Sequence, residues 1–425
     1  MKAKIKSLLN SQLIRVSSFT SISTFIKIGA TFISAKVLAV FTGPAGIAML
    51  GQLTNFITIL IQVSTAATGT GIVKLSGQYK DDEIQLKRVL STSFTINLFF
   101  SIIVGILLII FYPFVSQFIF IDEKYGWLVV FIAFCTPLIA INNFIVSSLS
   151  GLQFFKKYVK INIWASLISL VLTILLVLYY KIEGALLAYV LTQSTIFFVS
   201  LFYSKAIRWK QNILLSIDKT TLKELSHFSL YVIISAFCFP FIQILVRTLL
   251  TDTLSITIAG IWEGINRVSS MYLLLISSAI GVYFFPKLSS LKSKEVISAE
   301  LIFANKIFIS ATMFLGTILL LLKKWLIPLA LSVEFLPINE VLYIQVIGDI
   351  FLIGKMLLIM VFLSRGKTSI LIFAEIIFSA LYCVLNYYLI NNFTSLSSIL
   401  WAYPIYTFGY WLFLLFWYKT KLKNI

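Results

Sequence analysis

Eight ionisable residues lie inside long apolar stretches of this 425-residue chain. Lys27, Lys36, Arg247, Arg267 and Lys355 are basic, and Glu263, Asp349 and Glu375 are acidic. A charge at the centre of a membrane-spanning helix costs about 2.5–3.5 kcal/mol, so eight of them facing lipid would cost about 20–28 kcal/mol. That exceeds the roughly 5–15 kcal/mol of a whole domain's stability. They must meet one another or a watery chamber. A further lysine, Lys306, sits close enough to a helix start to snorkel. The five bases outnumber the three acids by two, so the implied chamber is cationic and suits an anion. Phosphate fits arginine well, because a planar guanidinium donates paired hydrogen bonds to two oxygens, and a diphosphate would match the surplus. The acids suit a second task, since a carboxylate in a low-dielectric site can exchange a proton or hold a cation.

Spacing sorts these residues. Glu263 and Arg267, four apart, share a helix face and can pair. Arg247 has no acid within one turn of its own helix, which leaves its charge available to a ligand. Lys27 and Lys36 are nine residues apart, about 2.5 turns, and point in opposite directions on a straight helix. Both reach one chamber only if the helix bends near Gly29; otherwise Lys36 snorkels to the far interface. Asp349 follows Gly348 and Lys355 follows Gly354, on different faces of one helix. For Glu375, one turn into its helix, a structural pair with a loop base is the alternative to function. The candidate diphosphate set is therefore Arg247, Lys27, Lys36, Arg267 and Lys355. The candidate ion-coupling or charge-balancing set is Asp349, Glu263 and Glu375.

The elements that must position them are helices. The chain is 60% apolar and 12% charged, against about 45–50% and 25% in ordinary soluble domains. Unbroken apolar runs such as 102–111 and 167–178 exclude a barrel, whose strands alternate in segments of about ten. Runs bounded by charge, Pro or Gly predict twelve spans near 13–41, 45–73, 89–112, 126–152, 158–180, 184–204, 225–250, 256–284, 300–322, 339–363, 369–390 and 397–418, with 326–331 as a short interfacial turn. The stretch to Phe41 has no cleavage site and reads as a retained first helix.

Twenty-four Lys and Arg fall in one alternate set of segments, from Lys2 to Lys423, and only Lys124, Lys181, Lys323 and Lys324 in the other. Basic loops stay cytoplasmic, so both termini are expected in the cytoplasm. The net charge of +18 is thus topological. No nucleic-acid partner is expected, and the basic loops face membrane lipid headgroups.

A faint repeat is visible. Gly46-Ile47 with Gly51 recurs as Gly260-Ile261 with Gly264, and Lys74-Leu75-Ser76 recurs as Lys287-Leu288-Ser289, at offsets of 214 and 213. Two six-helix lobes are expected, 1–204 and 225–425, joined by 205–224. An even number of spans per lobe makes the repeat parallel, around a central cationic cavity. No nucleotide-binding glycine loop is present and no extramembrane loop is large enough for a catalytic domain, so neither ATP hydrolysis nor an enzyme is expected. Cys135, Cys238 and Cys383 are far apart within apolar runs. No disulfide, metal or cofactor is expected.

The run Phe25-Ile26-Lys27-Ile28-Gly29-Ala30, Lys36-Val37-Leu38-Ala39 and Gly43-Pro44-Ala45-Gly46, then Ala259-Gly260-Ile261-Trp262-Glu263-Gly264, Gly348-Asp349 and Ala374-Glu375, resembles Wzx-type flippases for lipid-linked oligosaccharides. That group includes the O-antigen and enterobacterial common antigen flippases and belongs to the multidrug/oligosaccharidyl-lipid/polysaccharide exporter superfamily. The resemblance implies a bacterial inner-membrane transporter that moves undecaprenyl-diphosphate-linked repeat units to the periplasmic leaflet by alternating access, without ATP. It also implies a polysaccharide polymerase and a chain-length regulator as partners. Two other transporters are weighed against it. A multidrug or cation exporter of the same superfamily would want an acidic cavity. A major-facilitator anion transporter would carry an Asp-Arg-x-Gly-Arg type loop where Ser76-Gly77-Gln78-Tyr79-Lys80 stands.

Overall fold

The computed structural model describes residues 12–120, 122–209, 213–284, 287, 288, 291 and 293–420. Its helices are α1 (Gln12–Ser64), α2 (Gly69–Gln78), α3 (Glu83–Ile110), α4 (Tyr112–Phe120), α5 (Gly126–Gly151), α6 (Phe155–Tyr203), α7 (Lys219–Thr253), α8 (Ile256–Ala279), α9 (Lys294–Ala330), α10 (Ile338–Ser364), α11 (Thr368–Asn392), α12 (Leu396–Leu400) and α13 (Ala402–Thr420). No strand occurs among the described residues. Nine described helical segments are long and apolar enough to cross a membrane. Large apolar side chains such as Phe99, Phe100, Ile106 and Ile110 on α3 are exposed, where water would penalise them and lipid does not. The chain is a multi-pass membrane protein.

Two of the nine are double. α1 is 53 residues long with a non-helical residue, Gly43 (φ 61°, ψ −168°), and Pro44 opens the arm that follows. Proline suits a first turn, where its missing N–H has no helical partner. α6, with 49 residues, breaks at Lys181 (φ 49°, ψ −121°). Gly184 then lies so close to the Leu176 carbonyl that any Cβ would collide with it. Eight residues along a continuous helix span about 12 Å, so here the chain doubles back. The expected boundaries near 41/45 and 180/184 fall on these two breaks.

Elsewhere the expected limits shift. The arm expected to run to 73 stops at Ser64. Ala66 and Ala67 take positive φ (46° and 48°), and the chain restarts as α2. Thr65 and Thr68 support this turn by donating their hydroxyls to the carbonyls of Ile61 and Thr65, an alternative to continued helix that Thr offers readily. Glycines then let α2 lie on α5: a Cβ on Gly77 would be 3.2 Å from the Gly151 carbonyl, and one on Gly151 would be 2.7 Å from that of Val73. α9 passes through the expected interfacial turn and reaches Ala330. α8 ends at Ala279, before a π-helical turn over Ile280–Phe284.

The chain packs as two compact units. One takes in the chain up to Ser34 with Gln52–Phe241, and the other Ala35–Gly51 with everything from Ile242. The first has a core that includes Ile72, Leu90, Phe144, Leu149, Ile161 and Ile196. This grouping divides the chain differently from the 1–204 and 225–425 lobes read from the repeat. It assigns the corner between the arms of α1 to the second unit and cuts α7 beside Pro240.

Because Gly151 meets backbone, which cannot yield, Gly151→Val should abolish a monodisperse peak in size-exclusion chromatography. Gly29→Ala, with nothing within 4 Å of its added carbon, should elute as the wild type does.

Candidate functional site

Seven of the eight intramembrane charges lie in the second unit, and each described one has named partners. Arg247 on α7 is 1% exposed. Its Nη2 donates to Glu263 Oε2 at 2.6 Å, and Arg267 Nε donates to Glu263 Oε1 at 3.2 Å. One carboxylate thus serves two guanidiniums, leaving a surplus of one positive charge. The Glu263–Arg267 pair is the one its spacing predicts. The expectation that Arg247 keeps its charge free for a ligand is corrected: no acid is near on its own helix, but α8 supplies one. Trp262 places its ring 5.5 Å from the Arg247 guanidinium carbon. Gly51 makes the space, since a Cβ there would be 2.7 Å from Glu263 Cδ and 2.9 Å from Arg247 Cζ. Arg267, with 21% of its side chain exposed, is the accessible part of the cluster.

The corner 35–51 is held to this unit at several points. Lys36 Nζ donates to the Pro328 carbonyl at 2.6 Å. That carbonyl is among the last four of α9, which have no partner within the helix, and a cation there also opposes the helix dipole. Lys36 is therefore part of a helix terminus, neither paired with Lys27 nor reaching only for an interface. A Cβ on Gly43 would be 2.8 Å from Glu334 Oε2, so a carboxylate sits at the start of the second α1 arm, where the dipole favours it. Gly260 admits the Pro44 backbone so closely that no side chain would fit. Three glycines of the repeat, Gly51, Gly260 and Gly264, are thus packing positions. Lys27 lies in the first unit with its side chain exposed, and the only break in α1 is at Gly43, so no bend at Gly29 is seen.

Asp349 on α10 is fully buried and accepts from Ser269 Oγ (2.5 Å), Tyr272 Oη (2.5 Å), Tyr403 Oη (2.9 Å) and Gln345 Nε2 (3.4 Å). Such donors replace the water a buried carboxylate has lost. Lys355, 8% exposed, donates to Tyr406 Oη at 3.2 Å and lies 4.8 Å from the ring centroids of Tyr406 and Tyr410. Tyr410 donates to Glu375 Oε2 at 3.0 Å. Glu375 is therefore bound to a buried tyrosine, where a loop base was the alternative. Gly348 lets the Tyr403 ring approach, and Gly354 does the same for Trp411, at 2.7 Å from its would-be Cβ. Each Gly-charge dipeptide is thus one device: the glycine brings α13 close, and the charge meets its tyrosines. These tyrosines, together with Tyr272 and Ser269, are the residues that sequence reasoning missed. Their signal is the spacing of Tyr403, Tyr406 and Tyr410 along one face of an apolar helix.

Glu263→Gln should leave Arg247 buried without its counter-charge, a loss of about 3–5 kcal/mol seen as a lower midpoint in thermal unfolding. Arg247→Met combined with Glu263→Leu should lose clearly less than either half alone.

A model of the polysaccharide biosynthesis protein family matches residues 13–292. The lipid III flippase of Escherichia coli (strain K12) is 28% identical over 388 residues, covering 91% of this chain and 93% of that protein. An inward-facing multidrug resistance MATE family transporter of the MOP superfamily matches with TM-score 0.72 and 14% identity, covering 96% of this chain and 98% of that one. The outward-facing structure of such a transporter matches with TM-score 0.71 and 15% identity, covering 98% of each. These two likenesses show the fold, and the family match covers more than half of the sequence: the chain belongs to the polysaccharide biosynthesis protein family.

Proposed function

We propose that the chain is a flippase for lipid-linked oligosaccharides, and that its cargo is an undecaprenyl-diphosphate-linked repeat unit of O-antigen or a similar surface polysaccharide. What carries the reading is the Arg247–Glu263–Arg267 cluster, whose two guanidiniums share one carboxylate and keep a positive surplus within the span. The near full-length likeness to a lipid III flippase supports a lipid-linked cargo. Transport, not catalysis, is the proposed activity. Arg267 and the exposed Lys27 are the proposed diphosphate contacts, with Arg247 holding Glu263 and hence Arg267 in place. Lys36 and Lys355 contribute field from fixed positions.

In this reading each arm of α1 and α6 is a separate span and α8 is another, which with the remaining candidate segments makes twelve. They form two six-helix lobes, 1–204 and 225–425, in the bacterial inner membrane with both termini cytoplasmic. Moving a sugar headgroup through hydrocarbon would strand hydroxyls and phosphates without partners, at several kcal/mol for each hydroxyl. The protein substitutes its own polar groups while the prenyl tail stays in lipid, and rocking of the lobes changes the leaflet served. Asp349, with two described donors on each carboxylate oxygen, is the proposed ion-coupling carboxylate, and Glu263 and Glu375 balance charge. A polysaccharide polymerase and a chain-length regulator are the proposed partners. Multidrug transporters share the fold, but an organic cation would be repelled by the positive surplus at Glu263.

Arg267→Ala with Lys27→Ala should abolish surface polysaccharide in a strain depending on this chain, with protein level unchanged by immunoblot. Full surface display would overturn the cationic site. Asp349→Asn should leave the fold intact and remove the acceleration of lipid-linked sugar transport by a pH or sodium gradient in vesicles. Unchanged acceleration would remove Asp349 from coupling.

A further inference from the structure

A second cationic site lies wholly within the first unit, and none of its lining residues belongs to the candidate site described above. It is a cavity of about 900 Å³ whose lining includes Lys80, Lys87, Arg88 and Arg208, with Glu83 as the single carboxylate among the described lining residues. None of the four cations makes an ion pair within 4 Å among the described residues. Asp218, which lowers its own pKa to about 2 mainly through hydrogen bonds with Thr220 and Thr221, feels the charge of Arg88 more weakly. Four like charges around one hollow raise the positive potential within it, and such a field attracts an anion.

The walls are built. The segment 213–218 that borders the cavity is pinned to α3: Leu214 N donates to Ser91 Oγ (2.9 Å), Asp218 N to Thr92 Oγ1 (3.0 Å), and Thr95 Oγ1 to the Ser216 carbonyl (3.3 Å). Arg208 holds a left-handed backbone (φ 54°). Its neighbour Trp209 is anchored by a bond from Nε1 to Ser204 Oγ (2.8 Å) and by the rings of Phe94 and Phe144. The cations come from the ends of α2, α3 and α6, so the site stands at a membrane face. Apolar residues accompany them. Ile84 and Leu214 line the cavity, and Leu215 and Ile217 beside it are exposed, Leu215 by 73%. That is an unusual place for leucine and isoleucine unless acyl chains cover them.

We infer that this cavity holds the phosphodiester headgroup of an anionic glycerophospholipid, with its acyl chains against the 214–217 loop. Basic hollows between membrane helices attract such headgroups. Because all its described lining comes from one unit, the occupant is a resident lipid rather than transported cargo. The inference holds whether or not the chain is a flippase.

The test is native mass spectrometry of the full chain released from micelles containing equal phosphatidylglycerol and phosphatidylcholine. The wild type should retain phosphatidylglycerol preferentially. At about fivefold per cation, Lys87→Gln with Arg88→Gln should weaken retention about 25-fold. Lys367→Gln with Lys419→Gln, which removes two exposed cations of the second unit, should leave it unchanged. Equal retention of both lipids by the wild type would overturn the site without recourse to any variant. Equal loss in the two double variants would reduce it to bulk charge. Displacement of phosphatidylglycerol by undecaprenyl diphosphate at equal concentration would make it a cargo site and overturn the resident lipid.

Discussion

A charge withdrawn from water into a bilayer must find dipoles or counter-charges, and the second unit is arranged around that need. Arg247 and Arg267 share Glu263, Lys36 takes a helix-terminal carbonyl, Asp349 collects hydroxyls, and Lys355 and Glu375 meet tyrosines. Most of these contacts join different helices. The polar groups therefore fix which helices neighbour one another, a task that apolar packing in lipid performs weakly, because lipid tails are as apolar as leucine.

Glycine is the counterpart of each charge. Gly51 clears room for the arginine–glutamate pair, Gly260 admits the Pro44 backbone, and Gly348 and Gly354 bring α13 near enough for its hydroxyls to reach α10. A side chain at any of these positions would separate the helices and strand a buried charge. These glycine positions thus serve the packing of the helices and the candidate site together.

The corner 35–51 links the two halves of the sequence. It belongs to the first two spans by chain order and to the second unit by packing. The Arg247–Glu263 pair then sits against Gly51, and the electrostatics of α7 and α8 depend on a residue some two hundred positions earlier.

Composition and apolar runs alone determined that this chain is helical and crosses a membrane many times, because a span needs a fixed length of apolar residues whatever its neighbours are. The breaks at Gly43 and Lys181 were legible for the same reason, as were the eight charges and the Glu263–Arg267 pair, which one helix's periodicity dictates. Tertiary structure alone decided the rest. Arg247 looked unpaired because its carboxylate arrives from the next helix. Lys36 looked like a ligand until the end of α9 was placed beside it. The roles of Tyr403 and Tyr410 appeared only once α13 was set against α10 and α11. Contacts between helices depend on rotation and depth, and no periodicity within one segment encodes them.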